Sequence, residues 1–130
     1  MALKPEIRKA IFGRLRTSLK ELCPPMVCSK DSATCYEIIG NTPLPYGSTK
    51  RIVPGMYFAS AVVHKDMVSF HFMPVYYRLK DYAGVAPTLL KNLKGKACFN
   101  FRSVDQIDAA ELDAMLKQGA QAWKKLGYMK

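Results

Sequence analysis

The sequence predicts an α+β domain, an antiparallel β-sheet (a meander) with an N-terminal and a C-terminal helix packed on one face. Three observations carry this expectation. Amphipathic runs of helical period stand at residues 5–22 and 109–126. Between them, two β-rich runs, Met56 to Val63 and Met67 to Tyr77, reverse at His64-Lys65-Asp66, the pattern of a tight hairpin. Nowhere do strands and helices alternate as βαβ units, which argues against a doubly wound parallel sheet. With 130 residues, 49% of them apolar, the chain has the size and content of a single domain, 1–130, with one core. A chain this long buries roughly 65–70% of the surface its unfolded form exposes, so it does not need disulfides to hold it together.

In the first run Ile7, Ile11, Leu15, Leu19 and Leu22 recur at three- and four-residue steps, which is one helix face. Pro5 suits the first helical turn. Gly13 weakens the helix slightly. Cys23-Pro24-Pro25 ends it, because neither proline can donate a backbone hydrogen bond and each biases its predecessor away from helix. Residues 26–32 read as irregular, and 34–39 as the first strand. Residues 40–49 are dense in turn formers, a loop or two short pieces around a turn. Lys50 to Val53 reads as a short edge strand ended by Pro54-Gly55.

With Lys65-Asp66 as a two-residue turn, Val63 pairs with Val68, Ala61 with Phe70 and Ala59 with Phe72, an apolar face. The opposite face then carries Phe58, Ser60, Val62, His64, Met67, Ser69, His71 and Met73, a mixture of polar and oily groups. Residues 80–93 are helical in part, most clearly from Pro87, and Gly95 stops that run. Lys96 to Arg102 is a strand with Phe99 and Phe101 on one side and Cys98, Asn100 and Arg102 on the other. The last helix, Ala109 to Leu126, has Asp108 as N-cap and Glu111 three residues on, a capping-box spacing. Ile107 and Leu112 are placed for a hydrophobic staple. Leu112, Met115, Leu116, Ala122, Trp123 and Leu126 form its apolar stripe, and Gly127 its stop.

The charged stretch MALKPEIRK is followed by no apolar h-region, and no run approaches the ~18 apolar residues of a membrane span. A cytoplasmic protein without membrane attachment is expected. The four cysteines, Cys23, Cys28, Cys35 and Cys98, have no C-x-x-C spacing. They read as free thiols, with a Cys23–Cys28 or Cys28–Cys35 redox pair as the alternative. The formal net charge of +10 favours an anionic partner without specifying one.

The hairpin MYFASAVVHKDMVSFHFMPVY and the segment KGKACFNFRSVDQIDAAELDAMLKQGAQAWKKLGY resemble the YdhG-like family of small bacterial domains, mostly of unknown function. The resemblance spans roughly Ile7 to Tyr128, and Gly95-Lys96-Ala97-Cys98-Phe99-Asn100-Phe101 ahead of a capped helix is its most specific part. It implies a fold of N-terminal helix, antiparallel sheet and final helix. For one branch it also implies a frataxin-like iron chaperone. It brings no catalytic set.

Iron handling calls for clustered carboxylates. Here Asp105, Asp108, Glu111 and Asp113 are already explained by capping and the helix dipole, so no metal ligands are assigned. His64 and His71 share a face, but lie about 10–13 Å apart along the sheet, too far for one ion. Ser60 opposite His71 invites a nucleophile reading, yet no G-x-S-x-G elbow, orienting acid or oxyanion loop accompanies it. Cys98 near Arg102 could gain thiolate character, against a plain buried thiol. The sequence therefore predicts no catalytic residue and no cofactor.

The remaining expectation is non-enzymatic binding of a small ligand or protein partner on the mixed sheet face. Candidate contacts are Tyr36, Ser60, Ser69, His71, Asn100 and Arg102. A pocket under the Gly40–Pro54 loop and a homodimer interface are both compatible with such a face. The alternative is nucleic-acid binding, through one patch joining the basic residues of the first helix to Lys91, Lys94 and Lys96, with Tyr57, Tyr76, Tyr77 and Tyr82 available for stacking.

Overall fold

The computed structural model describes residues 3–46, 51–95 and 97–129. The first apolar stripe becomes helix α1, Pro5–Lys20, with Pro5 at its start and Ile11, Phe12, Leu15 and Leu19 buried. It ends two residues before the expected Leu22, and the chain turns through residues 21–25. Strand β1, Val27–Asp31, follows where irregular chain is expected. All five of its residues are exposed, so no alternation of apolar side chains marks it in the sequence. It pairs with β2, Cys35–Ile39, with a bulge between Cys28 and Lys30.

Strands β3, Leu44–Tyr46, and β4, Arg51–Val53, pair only with each other. The loop residues Gly47, Ser48 and Thr49, and Lys50 and Lys96 at two expected strand starts, lie outside the described residues. Strands β5, Tyr57–Val63, and β6, Val68–Phe72, adopt the hairpin register expected: Val63 faces Val68, Ala61 faces Phe70, and Ala59 faces Phe72. The His64 N–H donates to the Met67 carbonyl at 2.9 Å and closes the turn.

The β-rich run does not continue to Tyr77. It becomes helix α2 at Met73–Tyr77, with Pro74 in its first turn. Proline has no N–H for a strand ladder, and its fixed φ suits the start of a helix. Consequently Tyr76 and Tyr77 lie on a helix rather than in a strand. A 3₁₀ turn at Leu79–Tyr82 and helix α3, Pro87–Leu90, complete the partly helical stretch. A two-residue strand β7, Leu93–Lys94, lies between the expected elements, before Gly95 at φ +70°. Strand β8 is Cys98–Phe101.

The six-stranded antiparallel sheet has the order β1-β2-β5-β6-β8-β7. Its meander is consecutive apart from the β3–β4 excursion and the final reversal, where the chain reaches the edge as β7 and folds back as β8. Helix α4, Ala109–Lys125, starts at Asp108, whose carboxylate accepts the Glu111 N–H at 3.0 Å. Ile107 and Leu112 are both buried beside that start. The reciprocal half of the capping box is absent, because the Glu111 carboxylate instead accepts the N–H groups of Thr88 and Leu89 on α3. Leu126 departs from the expected stripe and is 53% exposed. Gly127 takes φ +84°, as a helix stop requires.

The core lies between the helices and one sheet face, around Phe58, Phe70, Phe72, Phe99, Phe101 and Trp123. Phe58 belongs here and not on the mixed face. A bulge in the β2–β5 pairing, where Ile38 faces Ala59 but Ile39 faces Tyr57, breaks the alternation. Phe58 is fully buried and packs edge-on, at 5.4 Å between centroids, against both Phe72 and Trp123.

Candidate binding face

The sheet face away from the helices is organised in two rows that cross four strands. Glu37, Ser60, His71 and Cys98 face one another in turn, and so do Cys35, Val62, Ser69 and Asn100. Tyr57 joins them, because the bulge puts it on the same side as Ser60, and their hydroxyls hydrogen-bond. The Ser69 hydroxyl donates to Asn100 Oδ1 at 3.1 Å, and the Cys98 thiol reaches the same oxygen at 3.4 Å. Ser29, at the β1 bulge, donates to Glu37 Oε2 at 2.6 Å. Small side chains beneath larger neighbours leave Ser60 only 3% and Ser69 only 4% exposed.

Of the six residues expected to bind, Ser60, Ser69, His71 and Asn100 are brought together. Tyr36 is not among them. It alternates with Cys35 and Glu37, so it points to the helix side, where it is buried under the Arg16 guanidinium, 5.0 Å from its ring centroid. Arg16 is held in place by a salt bridge to Asp31 at 3.1 Å. Arg102 stands exposed just beyond β8, and its guanidinium donates to the Asp66 carbonyl at 2.8 Å, clamping the hairpin turn instead of activating Cys98.

Glu37, Cys35 and Tyr57 complete the face and were not among the six. The polar Glu37 between Tyr36 and Ile38 does mark the open side of β2 in the sequence. Tyr57 has no such signal, because a bulge leaves no trace in alternation.

Burial disfavours charge on the titratable groups of this face whose pKa values are displaced. Burial, reinforced by His64, lowers the pKa of His71 and favours its uncharged form. Burial raises the Cys98 thiol, opposed by its hydrogen bond with Ser69. Cys35 is raised by burial and then by the Glu37 charge, and Tyr57 is raised chiefly by burial. The Ser60 hydroxyl engages a phenol and Cys98 stays a thiol, so the rows offer donors and acceptors rather than an activated nucleophile. All four cysteines are free thiols. Among the described residues no group of three or more His, Cys, Asp or Glu side chains could hold a metal.

A depression on this face, of about 240 Å³, lies under Val53 and Pro54 beside Ile39 and Tyr57. It is smaller than the roughly 300–1,000 Å³ of small-molecule sites. Of the basic patch expected, Lys96 lies outside the described residues, and Arg16 stands at the opposite edge of the sheet from Lys91 and Lys94. Arg16 reaches β1 through Asp31, while Lys91 and Lys94 stand at or beside β7, the opposite edge of the sheet. No helix among the described residues is long and apolar enough to cross a membrane.

Together these features define a two-layer α+β domain with one sheet face covered by helices and the other left open. Comparison with protein-family models, with curated proteins and with solved structures finds no match.

Proposed function

We propose that the domain is a non-enzymatic binding module and that its open sheet face docks a protein partner, a second copy of the chain included. One observation carries this reading. The chain has 20 Lys and Arg residues, yet strands β2, β5, β6 and β8 contain none, and Glu37 is their only acid. A merely solvated face would carry long charged side chains. An uncharged centre of Tyr57, Val62, His71 and Asn100, flanked by Glu37 and Lys30 toward one edge and Lys94 at the other, has the composition of an interface core and rim. The small volume of the depression at Val53 and Pro54 favours a protein over a small molecule. The YdhG-like resemblance of the sequence forms part of the same proposal, on its motif and element order.

Native mass spectrometry of the protein purified from cells, compared with Val62→Arg and His71→Ala, tests it. A dimer or protein complex seen in gentle conditions and lost in Val62→Arg, with circular dichroism unchanged, is the expected result. A wild-type chain isolated as a bare monomer, or a complex indifferent to Val62→Arg, would overturn it.

A further inference from the structure

A larger concavity among the described residues lies away from the sheet face, between α2 with its following 3₁₀ turn and the C-terminal half of α4. It encloses about 660 Å³, within the range of small-ligand pockets. Aromatic rings build it. Trp123 forms the floor, with Tyr77 tilted against it at 5.7 Å and Tyr128 edge-on at 5.3 Å between centroids. Trp123 is wholly buried beneath these rings, with its N–H directed away to the Met56 carbonyl.

The rim leaves apolar surface in water, with Tyr77 41% and Leu126 53% exposed. Leu126 lies in the apolar register of α4 yet does not enter the core, because it falls at this opening. The lining carries two cations, Arg78 and Lys125, against one acid, Asp81. Asp81 is already engaged: its carboxylate lies 3.5 Å from the Arg78 guanidinium, and its carbonyl accepts the Gln118 amide at 2.7 Å.

We propose that this groove is a small-molecule site for a flat aromatic ring bearing an acid group. Stacking on Tyr77 and Tyr128 would hold the ring, and the single net positive charge left by Arg78 and Lys125 against Asp81 would select the anion. The site is distinct from the sheet face and does not depend on the reading given for it.

Trp123 is the only tryptophan of the chain, so its fluorescence reports directly on the groove. The probe is 1-anilinonaphthalene-8-sulfonate, an aromatic anion, with N-phenyl-1-naphthylamine as its neutral counterpart. Saturable quenching of Trp123 by the sulfonate is expected, weakened about tenfold in Arg78→Glu/Lys125→Glu. Both substituted positions are exposed, so the fold should survive, as circular dichroism will check. Val62→Arg, on the sheet face, should bind the probe like the parent. The absence of saturable quenching, equal affinity for the neutral probe, or indifference to the double charge reversal would overturn the proposal. So would loss of binding in Val62→Arg, which would move the site to the sheet face.

Discussion

Glu111, in the first turn of α4, holds the start of a different helix through Leu89: its Oε1 accepts the Leu89 N–H at 3.1 Å and that of Thr88 at 2.8 Å. Helix α3 has four residues and no side-chain cap from its own N-cap position, so this carboxylate supplies the acceptor for two orphan donors. Glu111→Ala should cost about 1 kcal/mol, the scale of a lost N-cap. It should appear as a lower urea midpoint at unchanged slope. Glu111→Gln keeps an acceptor oxygen and should recover part of the loss.

Two glycine substitutions should have opposite signs. A Cβ on Gly55 would run into the Gly40 carbonyl, and one on Gly40 into the Tyr128 carbonyl. Both obstacles are backbone and cannot swing aside, so Gly55→Ala should destabilise by about 2–3 kcal/mol. Around Gly13 a Cβ meets nothing within 4 Å, and the position is inside α1. Gly13→Ala should stabilise by up to about 1 kcal/mol. Thermal melts of the two variants check both.

The bulge at Phe58 can be tested energetically. Phe58 is wholly buried between Phe72 and Trp123, so Phe58→Ala should cost about 3–5 kcal/mol in denaturant unfolding. Tyr57→Phe, which removes only the hydroxyl bond to Ser60, should cost about 1 kcal/mol. If the strand alternated without a bulge, Phe58 would face solvent and its truncation would be cheap.

His71 should make stability depend on pH in a defined direction. Its pKa is lowered from the ordinary 6.5 by burial first and by His64 second. The unfolded chain therefore binds more protons than the folded one just below pH 6.5, and folding loses free energy as the pH falls through that window. The stability advantage of the parent over His71→Gln should be constant above neutrality and shrink below pH 6.5. An NMR titration should place the His71 midpoint below 6.5.

Much of this was legible from the residues. The two end helices announce themselves because each buries one stripe, as Ile11, Leu15 and Leu19 do on α1. The β5–β6 register follows from the small-against-large pairing of Ala59, Ala61 and Val63 with Phe72, Phe70 and Val68. The edge strand β1 was hidden, because every residue is exposed and its backbone pairing is supplemented only by polar links, Ser29 to Glu37 and Asp31 to Arg16, which leave no apolar alternation. Met73 to Tyr77 is apolar enough for either structure, and only Pro74 tips it to helix. In the site, four candidates on β5, β6 and β8 were placed correctly by alternation. Tyr36 was misplaced because its hydroxyl reads as a polar anchor, although the neighbouring Glu37 marks the other side of β2 as the open one.

The β3–β4 excursion leaves and rejoins the sheet at a neck, where the Gly40 N–H donates to the Met56 carbonyl at 2.9 Å. Strands β2 and β5 are already neighbours there, and β3 and β4 pair only with each other. The hydrogen-bonded ladder of the six-stranded sheet therefore does not run through β3 and β4, and what ties them to the body of the domain is side-chain packing, with Leu44 set against the core.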